Sequence, residues 1–174
     1  MDFLNIKKYL PLLASVTVGL VLGVLISNLL LQENEQKEEN SLEVKNNTLS
    51  PDEQFQVAFD FLRSQKFEQA KKALEEFIVN NHENNLAGSA HYWIGEIHLL
   101  KKEYREAALI FAEGYQKYPS SIKSPDILYK LSEALSKINK ISEACNTFKK
   151  LQKDFPNHKL NEKANNRIME LKCE

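Results

Sequence analysis

Residues 90–126 read AHYWIGEIHLLKKEYREAALIFAEGYQKYPSSIKSPD, and this stretch decides the fold. It carries the small Gly95 within one apolar run and, after a polar break, Ala107 followed by Phe111. Equivalent blocks recur 37 residues earlier and 37 residues later. A period of about 20–50 residues is typical of repeat proteins, in which each unit buries its apolar face against its neighbours. The chain is therefore predicted to be a scaffold of stacked units.

The three units share one register. If the alanine is counted as position 20, position 8 is small, positions 11 and 24 are mostly bulky, and position 32 ends the unit. The columns are Ala58, Gly95 and Ser132; Phe61, His98 and Leu135; Leu74, Phe111 and Phe148; and His82, Pro119 and Pro156. A small residue opposite a large one lets two antiparallel helices pack closely. This pattern predicts tetratricopeptide repeats, with loops longer than in the usual unit of about 34 residues.

The predicted fold is all-α, a tetratricopeptide-repeat superhelix of three helical hairpins and a C-terminal capping helix, behind an N-terminal transmembrane helix. The predicted segments are a cytoplasmic N-terminus (1–8), the anchor (9–31), a flexible polar linker (32–50), three repeats (51–87, 88–124 and 125–157) and the capping helix (158–174).

Local signals predict where the helices begin and end. Ser50, Pro51 and Glu53 predict a capped start of the first helix. We expect the six hairpin helices to cover about 51–64, 67–80, 87–100, 104–117, 124–136 and, after a cap at Ser142, the stretch to 154. The apolar spacing between residues 160 and 171 predicts an amphipathic helix that covers the last repeat.

The N-terminus carries a long apolar run. Residues 9–31 contain no charged side chain. A helix of this length can cross a bilayer core of about 30 Å. A cleaved signal peptide is the alternative, although its apolar stretch is usually only about 7–15 residues. Lys7 and Lys8 precede the run and acidic residues follow it, so we expect a single-pass protein with a cytoplasmic N-terminus and the rest of the chain on the other side of the membrane.

Small residues form a stripe within this run. Ser15, Gly19, Gly23 and Ser27 recur every four residues. Such a stripe lets two membrane helices approach closely, so it predicts homo-oligomerisation through the anchor.

Composition and motifs argue against several classes of function. The formal net charge of −1 disfavours a nucleic-acid partner. No nucleophile, phosphate-binding or metalloprotease motif occurs, so we predict no enzymatic activity and no cofactor. His91 and His98 lie seven residues apart on one helix, but both occupy packing positions and no further ligand completes a set, so no metal site is predicted.

The first helices of the hairpins are predicted to line a partner-binding groove. Positions 5, 9 and 12 supply the candidate residues Phe55, Phe59, Tyr92, Glu96, Leu99, Tyr129 and Glu133. Aromatic anchors beside carboxylates suit an extended or helical segment of a protein partner that carries basic residues. The alternative is that the two phenylalanines pack under the linker and the glutamates are solvated. Trp93, the only tryptophan, is interpreted as core.

The two cysteines could meet. Cys145 lies near the start of one helix, and Cys173 ends the capping helix that should run antiparallel to it. In an oxidising compartment a disulfide between them would pin the cap to the third repeat. An ordinary buried thiol at Cys145 is the alternative.

The short sequence motifs of the repeats resemble those of the C-terminal domain of the CpoB family, also called YbgF, of the bacterial Tol-Pal envelope system. The resemblance rests on residues 90–96 (AHYWIGE), the block from Glu103 to Phe111, residues 118–126 (YPSSIKSPD) and residues 143–145 (EAC). It implies a periplasmic, non-enzymatic adaptor that couples outer-membrane constriction to septal peptidoglycan synthesis in cell division, with TolA and a septal peptidoglycan synthase as partners. Members of that family usually have a cleaved signal peptide and a trimeric coiled coil ahead of the repeats, whereas this chain has a predicted anchor and a linker too short for several heptads. Together with that anchor, the resemblance implies a single-pass protein of the bacterial inner membrane with its C-terminal domain in the periplasm. The plan of an anchor followed by repeats instead resembles YfgM, a helper of the Sec translocon.

Overall fold

The computed structural model describes residues 25–33 and 49–173. The chain divides into two units, residues 1–49 and 50–174. In the first unit, residues 25–33 form the helix α1. The predicted stripe positions Ser15, Gly19 and Gly23 lie outside the described residues, whereas Ser27 is an exposed residue of α1. Most of the predicted anchor and linker also lies outside them, and no helix in the described ranges is long and apolar enough to cross a membrane.

The second unit is a run of antiparallel helices. They are α2 (Pro51–Arg63), α3 (Phe67–Asn80), α4 (Ala87–Leu100), α5 (Tyr104–Lys117), α6 (Ser124–Lys137), α7 (Ile141–Asp154) and α8 (Leu160–Glu170). Consecutive helices pair as hairpins, and each hairpin packs on the next. The predicted helices are confirmed with bounds that differ by at most a few residues. No strand occurs among residues 49–173.

The predicted small-to-large contacts build the core. The side chains of Leu74, Phe111 and Phe148, all at position 24, are fully buried. Gly95 shows why position 8 is small, because a Cβ added there would lie 2.5 Å from the Cζ atom of Phe111. Apolar side chains pack in three clusters that follow the hairpins, so the core extends along the array.

Helix ends explain the turn inside each hairpin. Ser50 and Glu53 form the predicted capping box at the start of α2. The predicted cap at Ser142 is wrong, because the Ala144 amide donates to the Lys140 carbonyl at 3.0 Å. Lys140 is therefore the N-cap, and α7 begins at Ile141, two residues earlier than predicted. Two residues beyond the end of each first helix, the backbone adopts the left-handed conformation with φ near 60°. These residues are Gln65, Lys102 and Asn139. The amide that follows each of them donates back to the helix, as in a Schellman motif.

Helix α8 follows the third hairpin in the same repeat register. It packs on α7 and α6, and it ends in the same kind of left-handed turn, at Lys172. Ala164 is its fully buried residue, and most of its outer face is polar. This helix therefore covers the third repeat, and its role as the cap of the array stays a prediction.

Candidate partner-binding face

Side chains of the first helices meet across the repeats and define one continuous face. We call the side formed by α2, α4, α6 and α8 the first-helix face. On it, position 9 of each unit contacts position 6 of the next, 34 residues later. The contacts are Phe59 with Trp93, whose ring centroids lie 5.0 Å apart at 87°; Glu96 with Lys130, at 2.9 Å; and Glu133 with Arg167, at 2.7 Å.

Sequence reasoning identified position 9 but missed position 6. Trp93, Lys130 and Arg167 follow one another at the 37-residue period, so the register itself held the signal. The contact between position 9 of one unit and position 6 of the next unit was not predicted from the sequence.

The N-terminal half of the face is aromatic. Phe59 lies 6.1 Å from Phe55 by ring centroids, and Trp93 lies 5.1 Å from Tyr92. Phe55 also packs edge-on against the buried Phe77, at 5.4 Å. Phe55, Phe59 and Trp93 are all partly exposed. This half therefore offers apolar contact area held by rigid rings.

Tyr92 was predicted to line the groove and Trp93 to pack in the core, but Tyr92 is buried and Trp93 is partly exposed. Tyr92 is buried, with 8% of its surface exposed, and packs against Phe111. Burial raises the pKa of its hydroxyl, and the nearby carboxylates of Glu96 and Asp126 raise it further. Trp93, interpreted as core, keeps more exposed surface than Tyr92. The structure thus places Tyr92 inside the packing and Trp93 on the open face.

The C-terminal half of the face is ion-paired. The Lys130 ammonium lies 2.9 Å from both carboxylate oxygens of Glu96. Arg167 binds Glu133 and also Glu170, its neighbour on α8. The two glutamates predicted to select basic residues of a partner are therefore already neutralised within the chain. Selection of basic partner residues by these carboxylates stays a prediction.

The remaining predicted groove residues are partly buried. Tyr129 packs edge-on against Phe148 with centroids 5.5 Å apart, and burial raises the pKa of its hydroxyl. Leu99 contributes to the middle apolar cluster. Both side chains are partly exposed.

The histidines have structural partners. The buried His91 bonds the Ala87 carbonyl through Nδ1 at 2.9 Å, and His98 bonds Glu103 at 2.6 Å. Across the described ranges, no group of three His, Cys, Asp or Glu side chains could hold a metal ion.

A disulfide joins the end of the array to its last hairpin. Cys145 in α7 is bonded to Cys173, just beyond α8, and their Cα atoms lie 5.6 Å apart. This Cα separation is ordinary for a disulfide. The bond holds α8, and with it Arg167, against the third repeat.

The cross-repeat ion pair should be measurable as a coupling energy. Because Lys130 and Glu96 are partly buried, replacing either by glutamine leaves a charge without its partner. A double-mutant cycle of Glu96→Gln and Lys130→Gln should give a coupling of about 1 kcal/mol in urea melts. The matched exposed pair, Lys140 with Glu143 at 3.1 Å, should give about 0–0.5 kcal/mol. Equal couplings would contradict the burial argument.

The comparisons agree with the fold. Tetratricopeptide-repeat family profiles match residues 58–122 and 126–158. The two stretches together cover more than half of the chain, which therefore belongs to the tetratricopeptide-repeat proteins. No curated protein sequence matches the chain significantly.

Several solved structures are similar in fold. The type III secretion translocator chaperone SycD of Yersinia enterocolitica is 20% identical, with a TM-score of 0.60 over 72% of this chain and 88% of SycD. SycD in complex with a peptide of the translocator YopD is 19% identical, with a TM-score of 0.56 over 69% and 87%. PcrH from Pseudomonas aeruginosa is 14% identical, with a TM-score of 0.56 over 71% and 91%. At these identities the likeness shows the fold alone.

Proposed function

We propose that this chain is a non-enzymatic adaptor that binds a segment of a protein partner along the first-helix face. The observation that carries the proposal is the partly exposed Phe59–Trp93 pair, which joins the first two repeats edge to face. Aromatic side chains that are rigid and partly exposed are frequent anchors of protein interfaces. A tetratricopeptide array supplies the extended surface that such a segment needs.

The particular role that we favour is that of a CpoB-like coordinator of cell division. This role is supported by the sequence motifs around Tyr92 and Trp93 and in residues 118–126, which resemble those of that family. The proposed partners are TolA and a septal peptidoglycan synthase, and the proposed location is the periplasmic side of the inner membrane. The Cys145–Cys173 bond supports an oxidising compartment.

A chaperone-like role for secretory proteins is the second candidate. It is favoured by the likeness in fold to SycD, which has been solved with a translocator peptide. An apolar aromatic half-face would suit many unfolded segments. The anchor-and-repeats plan that resembles YfgM fits this role as well.

The single tryptophan provides a direct binding assay, since Trp93 lies in the proposed anchor site. Titration of the full chain with the TolA protein of the same organism should change the tryptophan fluorescence. Phe59→Ala should weaken that binding at least about thirtyfold, because hot-spot side chains contribute about 2 kcal/mol or more. Leu109→Ala is the control, because Leu109 is an exposed residue of the second helix α5.

The outcomes separate the two candidates. Binding of TolA that depends on Phe59 supports the division role. Binding of unfolded secretory chains but not of TolA, with the same dependence, supports the chaperone-like role. If Phe59→Ala and Leu109→Ala behave alike for every partner that binds, the proposed face is wrong.

A further inference from the structure

A lysine at the start of α6 packs against two aromatic rings of α4. Lys123 directly precedes α6, and its ammonium lies 4.9 Å from the ring centroid of Tyr92 and 5.8 Å from that of Trp93. In the described part of the chain, no carboxylate forms an ion pair with it. By contrast, the two other basic groups that bridge first helices, Lys130 and Arg167, are both paired with glutamates.

The loop that carries Lys123 is firmly held. The Lys123 amide donates to Ser121 Oγ at 3.2 Å, and the buried Ser124 hydroxyl donates to the Tyr118 carbonyl at 2.8 Å. The loop also packs directly on α4, because a Cβ added to Gly88 would lie 2.5 Å from the Cβ atom of Ser121. The position of the Lys123 backbone is therefore set by the fold, so a ligand would meet an already ordered loop.

The surrounding charges leave the ammonium available. Glu96 is held by Lys130. Asp126 lies in the first turn of α6, where the helix dipole favours a negative charge, and it acts on the Tyr92 hydroxyl. Neither acid is within ion-pair distance of Lys123. The aromatic rings desolvate one side of the ammonium while the other side can accept a counter-ion.

We propose that the Lys123 ammonium binds a carboxylate of the partner segment, so that the face accepts segments in which an acidic group lies beside an apolar anchor. The apolar residue contacts Phe59 and Trp93, and the carboxylate contacts Lys123. This inference rests on the proposed function and gives it a chemical specificity. It differs from the predicted preference for basic segments, which depends on Glu96 and Glu133 carboxylates that pair with Lys130 and Arg167 within the chain.

Selection from peptide libraries tests the specificity without a known partner. The full chain, in mild detergent, selects from two phage-displayed random libraries of peptides, one internal and one ending in a free carboxylate. The informative peptides are those that Phe59→Ala no longer recovers. We expect them to be enriched in Asp or Glu next to a large apolar residue, or to come from the free-carboxylate library alone. The first result identifies side-chain carboxylates as the ligand, and the second identifies the chain terminus.

Substitutions of Lys123 test whether its ammonium binds the carboxylate of the peptide. With Lys123→Gln, the acidic enrichment should disappear and the best peptide should bind about tenfold more weakly. Lys123→Arg should restore most of the affinity, and Lys137→Gln, the same change at the other end of α6, should have no effect. Thermal melts verify that each variant is folded.

Two results would overturn the inference, and they differ from failure of the proposed function. Phe59-dependent peptides that lack acidic enrichment, or that keep it with Lys123→Gln, remove the carboxylate site but leave the binding face intact. Recovery of no Phe59-dependent peptide at all contradicts the proposed face, and the carboxylate site with it.

Discussion

Gly95→Ala is expected to destabilise the repeat domain by about 1–3 kcal/mol, because the new methyl group would overpack the contact between α4 and α5. The added Cβ would lie 2.5 Å from Phe111 Cζ, and Phe111 is itself fully buried. Helix propensity alone predicts the opposite sign, since alanine is favoured over glycine in a helix by about 1 kcal/mol. The sign of the effect, measured by urea denaturation, therefore reports the small-to-large contact directly.

Two further variants test whether Phe111 is the cause. Phe111→Leu makes room beside Gly95, so the double variant Gly95→Ala/Phe111→Leu should lose less stability than the sum of the two single changes. Ala112→Gly, at an exposed position of α5, should cost only the propensity difference of about 1 kcal/mol. Strict additivity in the double variant would contradict the proposed packing.

Loss of the disulfide is expected to have the larger effect. The bond spans 28 residues of sequence between Cys145 and Cys173. For a loop of that length the chain-entropy model gives about 3.6 kcal/mol, or a fall in Tm of roughly 10 °C. Reduction of the purified protein, followed by thermal denaturation, measures this loss.

The loss should begin at α8. Besides the disulfide, α8 is held by the buried Ala164, by the Arg167–Glu133 ion pair and by a 2.6 Å hydrogen bond between Gln152 and Asn165. After reduction, amide exchange should therefore accelerate first in α8 and later in α4 and α5. The double variant Cys145→Ala/Cys173→Ala should melt at the same temperature as the reduced protein, and addition of reductant should not change that temperature. Equal melts with and without reductant would show that the bond does not stabilise the cap.

The repeat positions could be predicted because packing inside a hairpin depends on residues close in sequence. The alternation of small and large residues at positions 8 and 24 specifies which sides of two consecutive helices meet, and Gly95 with Phe111 shows this directly. Helix bounds followed from the same register. The cap at Ser142 was wrongly predicted because the Lys140 carbonyl accepts the first helical hydrogen bond of α7 without any side-chain cap.

Contacts between repeats were harder to predict. Tyr92 and Trp93 are adjacent in sequence, so they point about 100° apart around α4, and the neighbouring helices decide which of them is covered. Phe111 and Ile127 help to bury Tyr92, whereas Trp93 remains open beside Phe59. The ion pairs of Glu96 and Glu133 also depend on residues 34 positions away. A solvated or partner-facing carboxylate and an internally paired one have the same local sequence.

Photocrosslinking from the first-helix face tests the central claim most directly. A photoreactive benzoylphenylalanine replaces Phe59 in the full chain, and in a parallel strain it replaces Leu109 on α5. We predict that crosslinking in cells captures a discrete partner from position 59 and not from position 109, with TolA or a peptidoglycan synthase supporting the division role and secretory chains supporting the chaperone-like role. Capture of the same proteins from both positions, or only from position 109, would contradict partner binding on the first-helix face.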